Sequence, residues 1–162
     1  ATFILTSAIS AFSMRFPVDL SVGYGTTYGG AGGKIALGEL VFAGYGKFSG
    51  ESMYNFGVQV PIFFSKDKKY RSTPYVGASY GGIAVQETTT TYLSGTVETE
   101  KKVVNGYSIF AGYVWGWDFG LFLHVDLGYS WGKTTFFENT QYEEKKNVSS
   151  IAFDFGIGFR LF

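Results

Sequence analysis

The chain has 162 residues, with 13 basic and 13 acidic side chains, a formal net charge of zero, 23 glycines, 20% aromatic residues and no cysteine. The 16% charged share lies well below the roughly 25% of an average soluble domain, and glycine is about twice its usual share. This composition excludes a disordered chain, the basic footprint of a nucleic-acid binder, a disulfide framework, a thiol nucleophile and a thiolate zinc site.

Residues 2–10 read as a first strand, although the apolar stretch up to Phe12 also resembles the core of a signal peptide. A second strand is predicted over 12–26. Phe12, Met14, Phe16, Val18, Leu20, Val22 and Tyr24 alternate with Ser13, Arg15, Pro17, Asp19, Ser21, Gly23 and Gly25. Pro17 cannot donate to a ladder, so it marks a bulge or the true start of the strand. Tyr28 to Gly33 reads as a turn, and a third strand is predicted over 34–47.

The fourth strand, 53–64, alternates Tyr54, Phe56, Val58, Val60, Ile62 and Phe64 with small or polar residues. The fifth and sixth are predicted over 74–86 and 104–115, separated by the threonine-rich segment 87–102. In the seventh, 119–132, Leu121, Leu123, Val125, Leu127, Tyr129 and Trp131 oppose Phe122, His124, Asp126, Gly128 and Ser130. The eighth, 148–161, follows the polar segment 133–147 and alternates in the same way from Ile151 to Leu161. Eight long strands of period two predict an all-β fold, an eight-stranded antiparallel up-and-down barrel occupying 1–162 as one domain.

Volume decides which face is inside. The interior of an eight-stranded barrel is just wide enough for side chains to fill, so about six large groups from each strand cannot fit there. The bulky face points outward, and an apolar belt of that size is suited to bilayer hydrocarbon rather than water. No run of strictly apolar residues exceeds the four from Leu40 to Ala43, far short of the about 18 that a spanning helix needs. The predicted crossings are therefore strands.

Tyrosine and tryptophan favour the headgroup boundary. In the predicted order, Tyr24, Phe64, Tyr75, Tyr113, Trp115, Trp117 and Phe159 collect at one rim, and Tyr45, Tyr54, Tyr107, Tyr129 and Trp131 at the other. The two longest connections fall at the second rim. The closing stretch Phe155-Gly-Ile-Gly-Phe-Arg-Leu-Phe162 resembles the C-terminal signature of small bacterial outer-membrane barrels, and Pro74-Tyr-Val-Gly-Ala-Ser-Tyr-Gly-Gly82 is similar to the fifth strand of the OmpA/OmpX-type family. That resemblance implies a monomer in the outer membrane with both termini periplasmic, surrounded by lipid and lipopolysaccharide. It also implies that Gly156, Gly158, Phe159, Leu161 and Phe162 are read by the barrel-insertion machinery.

The inner face is expected to hold a charge network of Arg15, Asp19, Glu39, His124, Asp126, Asp154 and Arg160, because an isolated charge there is costly unless paired. This network plugs and pins the barrel, or it gates a narrow ion or small-solute path. His124 and Asp126, with Ser130 or Ser150, supply the residue types of a hydrolase triad, but the histidine points inward, away from lipid, so no enzyme is expected. One histidine and no cysteine predict no metal site or other cofactor. The segments 87–102 and 133–147 are solvated tips, or surfaces that bind a host or neighbouring protein by strand addition or hold lipopolysaccharide phosphates.

Overall fold

The computed structural model describes residues 17–38, 40–62, 72–92, 95–138 and 143–161. They form eight strands: β1 (Val18–Gly25), β2 (Gly30–Leu37), β3 (Val41–Phe48), β4 (Glu51–Pro61), β5 (Thr73–Thr91), β6 (Val97–Gly116), β7 (Leu121–Phe136) and β8 (Glu144–Leu161). Each strand pairs antiparallel with its sequence neighbour, and β1 pairs with β8 to close the barrel. The expected architecture is the observed one.

Its strands differ from the predicted set at the N-terminal side. Residues 2–10 and 12–16 lie outside the described residues, and both edges of β1 are already occupied by β2 and β8. The predicted third strand, 34–47, is two strands joined by a tight turn over 38–40. There Gly38 takes a φ of 62° and donates its amide to the Pro17 carbonyl at 2.9 Å. Pro17 thus stands immediately before β1, where its missing N–H costs no ladder bond. Residues 30–33, read as turn, belong to β2; all four pair with β1, and 31–33 also pair with β3.

Splitting that strand reverses the direction of the strand before it. The chain enters β1 at the end of the barrel that carries the short turns over 38–40 and 117–120, and Val18 lies beside Leu161 there. The opposite end carries the connections at 26–29, 49–50, 92–96 and 137–143. Tyr24 accordingly belongs to this second end, where its ring lies 6.3 Å from Phe48, and not to the rim predicted for it.

The register fixes the barrel's shape. Following partners from Leu20 through Ile35, Ala43, Phe56, Tyr80, Tyr107, Trp131 and Ser149, the line returns to β1 at the level of residue 30, ten residues beyond its start. A stagger of ten residues at about 3.3 Å, against eight strands about 4.8 Å apart, tilts the strands by about 40°. The ten steps from Leu121 to Trp131 then climb about 25 Å along the axis.

Outside, one unbroken apolar belt runs around the barrel, from Leu20 and Val22 through Ile35, Tyr54, Phe56, Ile109 and Leu127 to Ile151, which is 74% exposed. Inside, Ala36, Phe42, Tyr75 and Phe110 form an apolar cluster between β2, β3, β5 and β6, with Val114 packed against it. The buried acidic groups and the histidine gather on β1, β7 and β8, while Lys34, Asn55, Ser79 and Ser108 place further polar groups on β2, β4, β5 and β6.

The barrel is tall on one side only. β1 to β3 have eight residues each, whereas β5 and β6 have 19 and 20. Most of the segment 87–102, predicted as a loop, is ladder. Glu87 faces Lys101 and Thr89 faces Thr99, and opposite charges and paired threonines both support a strand pair. Thr88 to Thr91 thus extend the hairpin as strand. β7 and β8 continue similarly through Lys133↔Asn147 to Phe136↔Glu144.

Candidate functional site in the barrel interior

Alternation on β1, β7 and β8 turns Asp19, Ser21, His124, Asp126, Asp154 and Arg160 inward, as expected. Arg15 and Glu39 lie outside the described residues. The predicted network is divided between two levels. Near the short-turn end Arg160 grips Asp19 with two parallel bonds, Nε to Oδ1 at 2.7 Å and Nη2 to Oδ2 at 2.6 Å. The two residues are direct cross-strand partners, so this bidentate pair staples the β1–β8 seam.

Deeper in, Asp126 and Asp154 face each other across the β7–β8 ladder, a like-charge juxtaposition that ordinarily destabilises a sheet. Two groups absent from the sequence-based set compensate. Tyr75, expected in an outer girdle, is instead 3% exposed and turned into the lumen, where its hydroxyl donates to Asp126 Oδ1. The parity of β5 explains the difference: Val76 and Tyr80 take the outer face, leaving Tyr75 and Ser79 inside. Lys34 on β2 is the second group. Its buried ammonium lies 4.9 Å from the Tyr28 ring and 5.3 Å from the Phe42 ring, on the inner face shared by the two aspartates.

The most unexpected occupant is the connection between β1 and β2. Residues 26–29 fold into the lumen, leaving Thr27 and Tyr28 almost wholly buried. The Thr27 amide donates to Asp154 Oδ1 at 2.7 Å, and Asn55 Nδ2 donates to the Thr26 carbonyl at 2.7 Å. Lys34 Nζ donates to Thr27 Oγ1 at 3.4 Å. The Tyr28 hydroxyl donates to Ser21 Oγ at 2.9 Å and also bonds with His124 Nε2, while the Tyr28 and His124 rings stack with centroids 5.5 Å apart. His124 Nδ1 lies 3.4 Å from the Tyr75 hydroxyl and 3.6 Å from Asp126 Oδ1.

Asp126, Tyr75, His124, Tyr28 and Ser21 therefore form one continuous polar chain. It joins His124 to Asp126, as a triad reading requires, but Ser130 sits elsewhere, paired with Ser108 at 2.6 Å. A cavity of about 30 Å³, room for about two waters, lies beneath this chain between Lys34, Tyr75, His124 and the Asp19–Arg160 pair. Above it the lumen is packed by Met53, Ile83, Val104, Phe136 and Phe137, all buried.

No protein-family model, curated protein or solved structure matches this chain. The remaining sequence-predicted positions are placed by the strands alone. Tyr45, Tyr54, Tyr107, Tyr129 and Trp131 face outward near the long-hairpin end, and the Tyr107 and Trp131 rings lie 6.3 Å apart. Tyr113 and Trp115 pack at 4.8 Å towards the short-turn end, where Trp117 is also exposed. On β8, Phe159 and Leu161 face outward and Gly156 and Gly158 inward; Phe162 lies outside the described residues.

Tyr28, Tyr75 and Lys34 were the contributors that alternation alone did not identify. A signal for the first was present in the glycines at 23, 32, 44, 46 and 156. A Cβ at any of these would collide with Thr27 or Tyr28.

Proposed function

We propose that this chain is an integral β-barrel protein of a bacterial outer membrane, monomeric, with both termini on the periplasmic side and no catalytic role. Its work is structural or surface-binding, carried by the hairpins at 87–102 and 133–147. The observation that carries this reading is the apolar belt. Large side chains stand exposed around all eight strands while the interior is filled, an arrangement that water would not tolerate and hydrocarbon favours.

Three further features support it. The belt rises about 25 Å, the height of the apolar band in such barrels. Tyrosine and tryptophan mark both of its margins. The alternating close of β8 suits recognition by the barrel-insertion machinery. Among the described residues, β5 beyond Gly81 and β8 before Asp154 each lack a neighbour on one side, so the tall hairpins offer backbone edges to a host or neighbouring protein. Lipid and lipopolysaccharide are the expected surroundings. The competing reading, a narrow channel, is weakened by the in-turned Tyr28 and the apolar packing above it.

Reconstitution into vesicles carrying brominated acyl chains tests the membrane assignment. Fluorescence from the three tryptophans, which stand exposed on the outer surface at the margins of the belt, should be quenched. A barrel that remains soluble without detergent, with unquenched tryptophan, would refute it.

A further inference from the structure

We propose that the 26–29 turn is a displaceable plug, able to leave its seat in the lumen while the barrel around it stays folded. Elsewhere at this depth the lumen is filled by side chains rooted in the wall, such as Phe42, Tyr75 and Phe110. Around the turn the wall carries glycine on β3 and β8, where a Cβ on Gly44 would strike the Thr27 carbonyl first and one on Gly156 the Tyr28 hydroxyl first. At these two places the wall is shaped to the turn. Gly23, Gly32 and Gly46 also lie against Tyr28, although their nearest atoms are strand carbonyls.

The turn also carries hinges on both sides. Gly25 has a φ of 137°, Gly29 of 69° and Gly30 of 97°, conformations that glycine enters and leaves at little cost. What holds the turn in place is few and polar: Asp154 on the Thr27 amide, Asn55 on the Thr26 carbonyl, Lys34 on the Thr27 hydroxyl, and Ser21 and His124 on the Tyr28 hydroxyl. Every one of these wall groups can be hydrated when the turn leaves, whereas an apolar plug would abandon an apolar wall to water. Asp126 Oδ2 and Asp154 Oδ2 accept no hydrogen bond among the described residues, so water can reach them without displacing a protein donor. Withdrawal therefore exchanges protein bonds for water bonds and unpacks one large side chain, Tyr28.

The absence of cysteine makes a thiol probe clean. Thr27→Cys, refolded in detergent and checked for folding by heat-modifiable migration, is exposed to a water-soluble methanethiosulfonate across low urea concentrations. The expected labelling rate is independent of urea, the mark of a local opening, and at least about tenfold above the rate of global unfolding. Gly44→Ala, which fills the seat while leaving the turn's own residues unchanged, should raise that rate at least about tenfold more. Gly156→Ala serves if Gly44→Ala does not fold. Labelling that rises with urea in step with global unfolding, or that is unchanged in a folded seat-filled variant, would overturn the plug.

Discussion

Removing Asp19 is the sharpest single test of how the seam is held. Asp19→Ala leaves the Arg160 guanidinium nine-tenths buried beside β1 with the bidentate carboxylate gone. Breaking a buried pair from one side costs about 3–5 kcal/mol, and the cavity beside this pair lets water recover part of it, so about 3 kcal/mol is expected. That is more than a hundredfold in the folding equilibrium. Arg160→Ala strands the carboxylate and should cost about as much. The double variant removes both charges, so its loss should fall about 2 kcal/mol short of the added single losses. Equilibrium urea unfolding of the refolded barrel, followed by tryptophan emission, measures all four proteins, and an unchanged urea dependence confirms that stability alone has moved. Additive single losses, with a coupling below about 0.5 kcal/mol, would refute the claim that the two side chains act as one latch.

Two other perturbations probe the belt and the tall hairpins. Val125 stands near mid-height of the belt, so Val125→Arg should cost about 2–4 kcal/mol in vesicles, and Leu121→Arg at its margin about 0–1; equally small losses at both sites would count against lipid contact. Above the belt, Glu100 accepts the Phe137 amide at 2.7 Å and pairs with Lys102 at 2.9 Å, which hold its carboxyl below the usual range. A lowered folded-state pKa means that this contact stabilises fully above the ordinary value of 4.5 and is lost as pH falls through the lowered one. Exchange protection of the Phe137 amide should therefore fall on acidification, and Glu100→Gln should flatten that dependence.

Long, strictly alternating segments were legible because nothing interrupts their parity. β4 carries Tyr54 to Val60 of its expected outward set, with Phe64 outside the described residues, β7 and β8 carry theirs, and the inward places of Asp19, His124, Asp126, Asp154 and Arg160 follow from the same rule. The β2–β3 turn escaped for an instructive reason. Ile35 and Leu37 face outward before it and Val41, Ala43 and Tyr45 after it, all at odd positions, so a three-residue turn leaves the period of two unbroken in the sequence. Tyr75 escaped because tyrosine suits a girdle and a lumen equally, and only its neighbours' parity distinguishes them. Tyr28 escaped because a glycine-rich turn ordinarily means solvent. What turned it inward is space left by glycines from β3 and β8, far away in the chain, and no local pattern encodes such a cavity.

The Asp19–Arg160 seam also bears on the order of events in folding. Its partners are 141 residues apart, so the seam can close only after nearly the whole meander has been laid down. A contact closed that late should be absent from the transition state, so weakening it should leave the folding rate almost unchanged while hastening unfolding. The latch is thus a determinant of lifetime: beyond the backbone ladder of the seam, it sets how long the closed barrel stays shut.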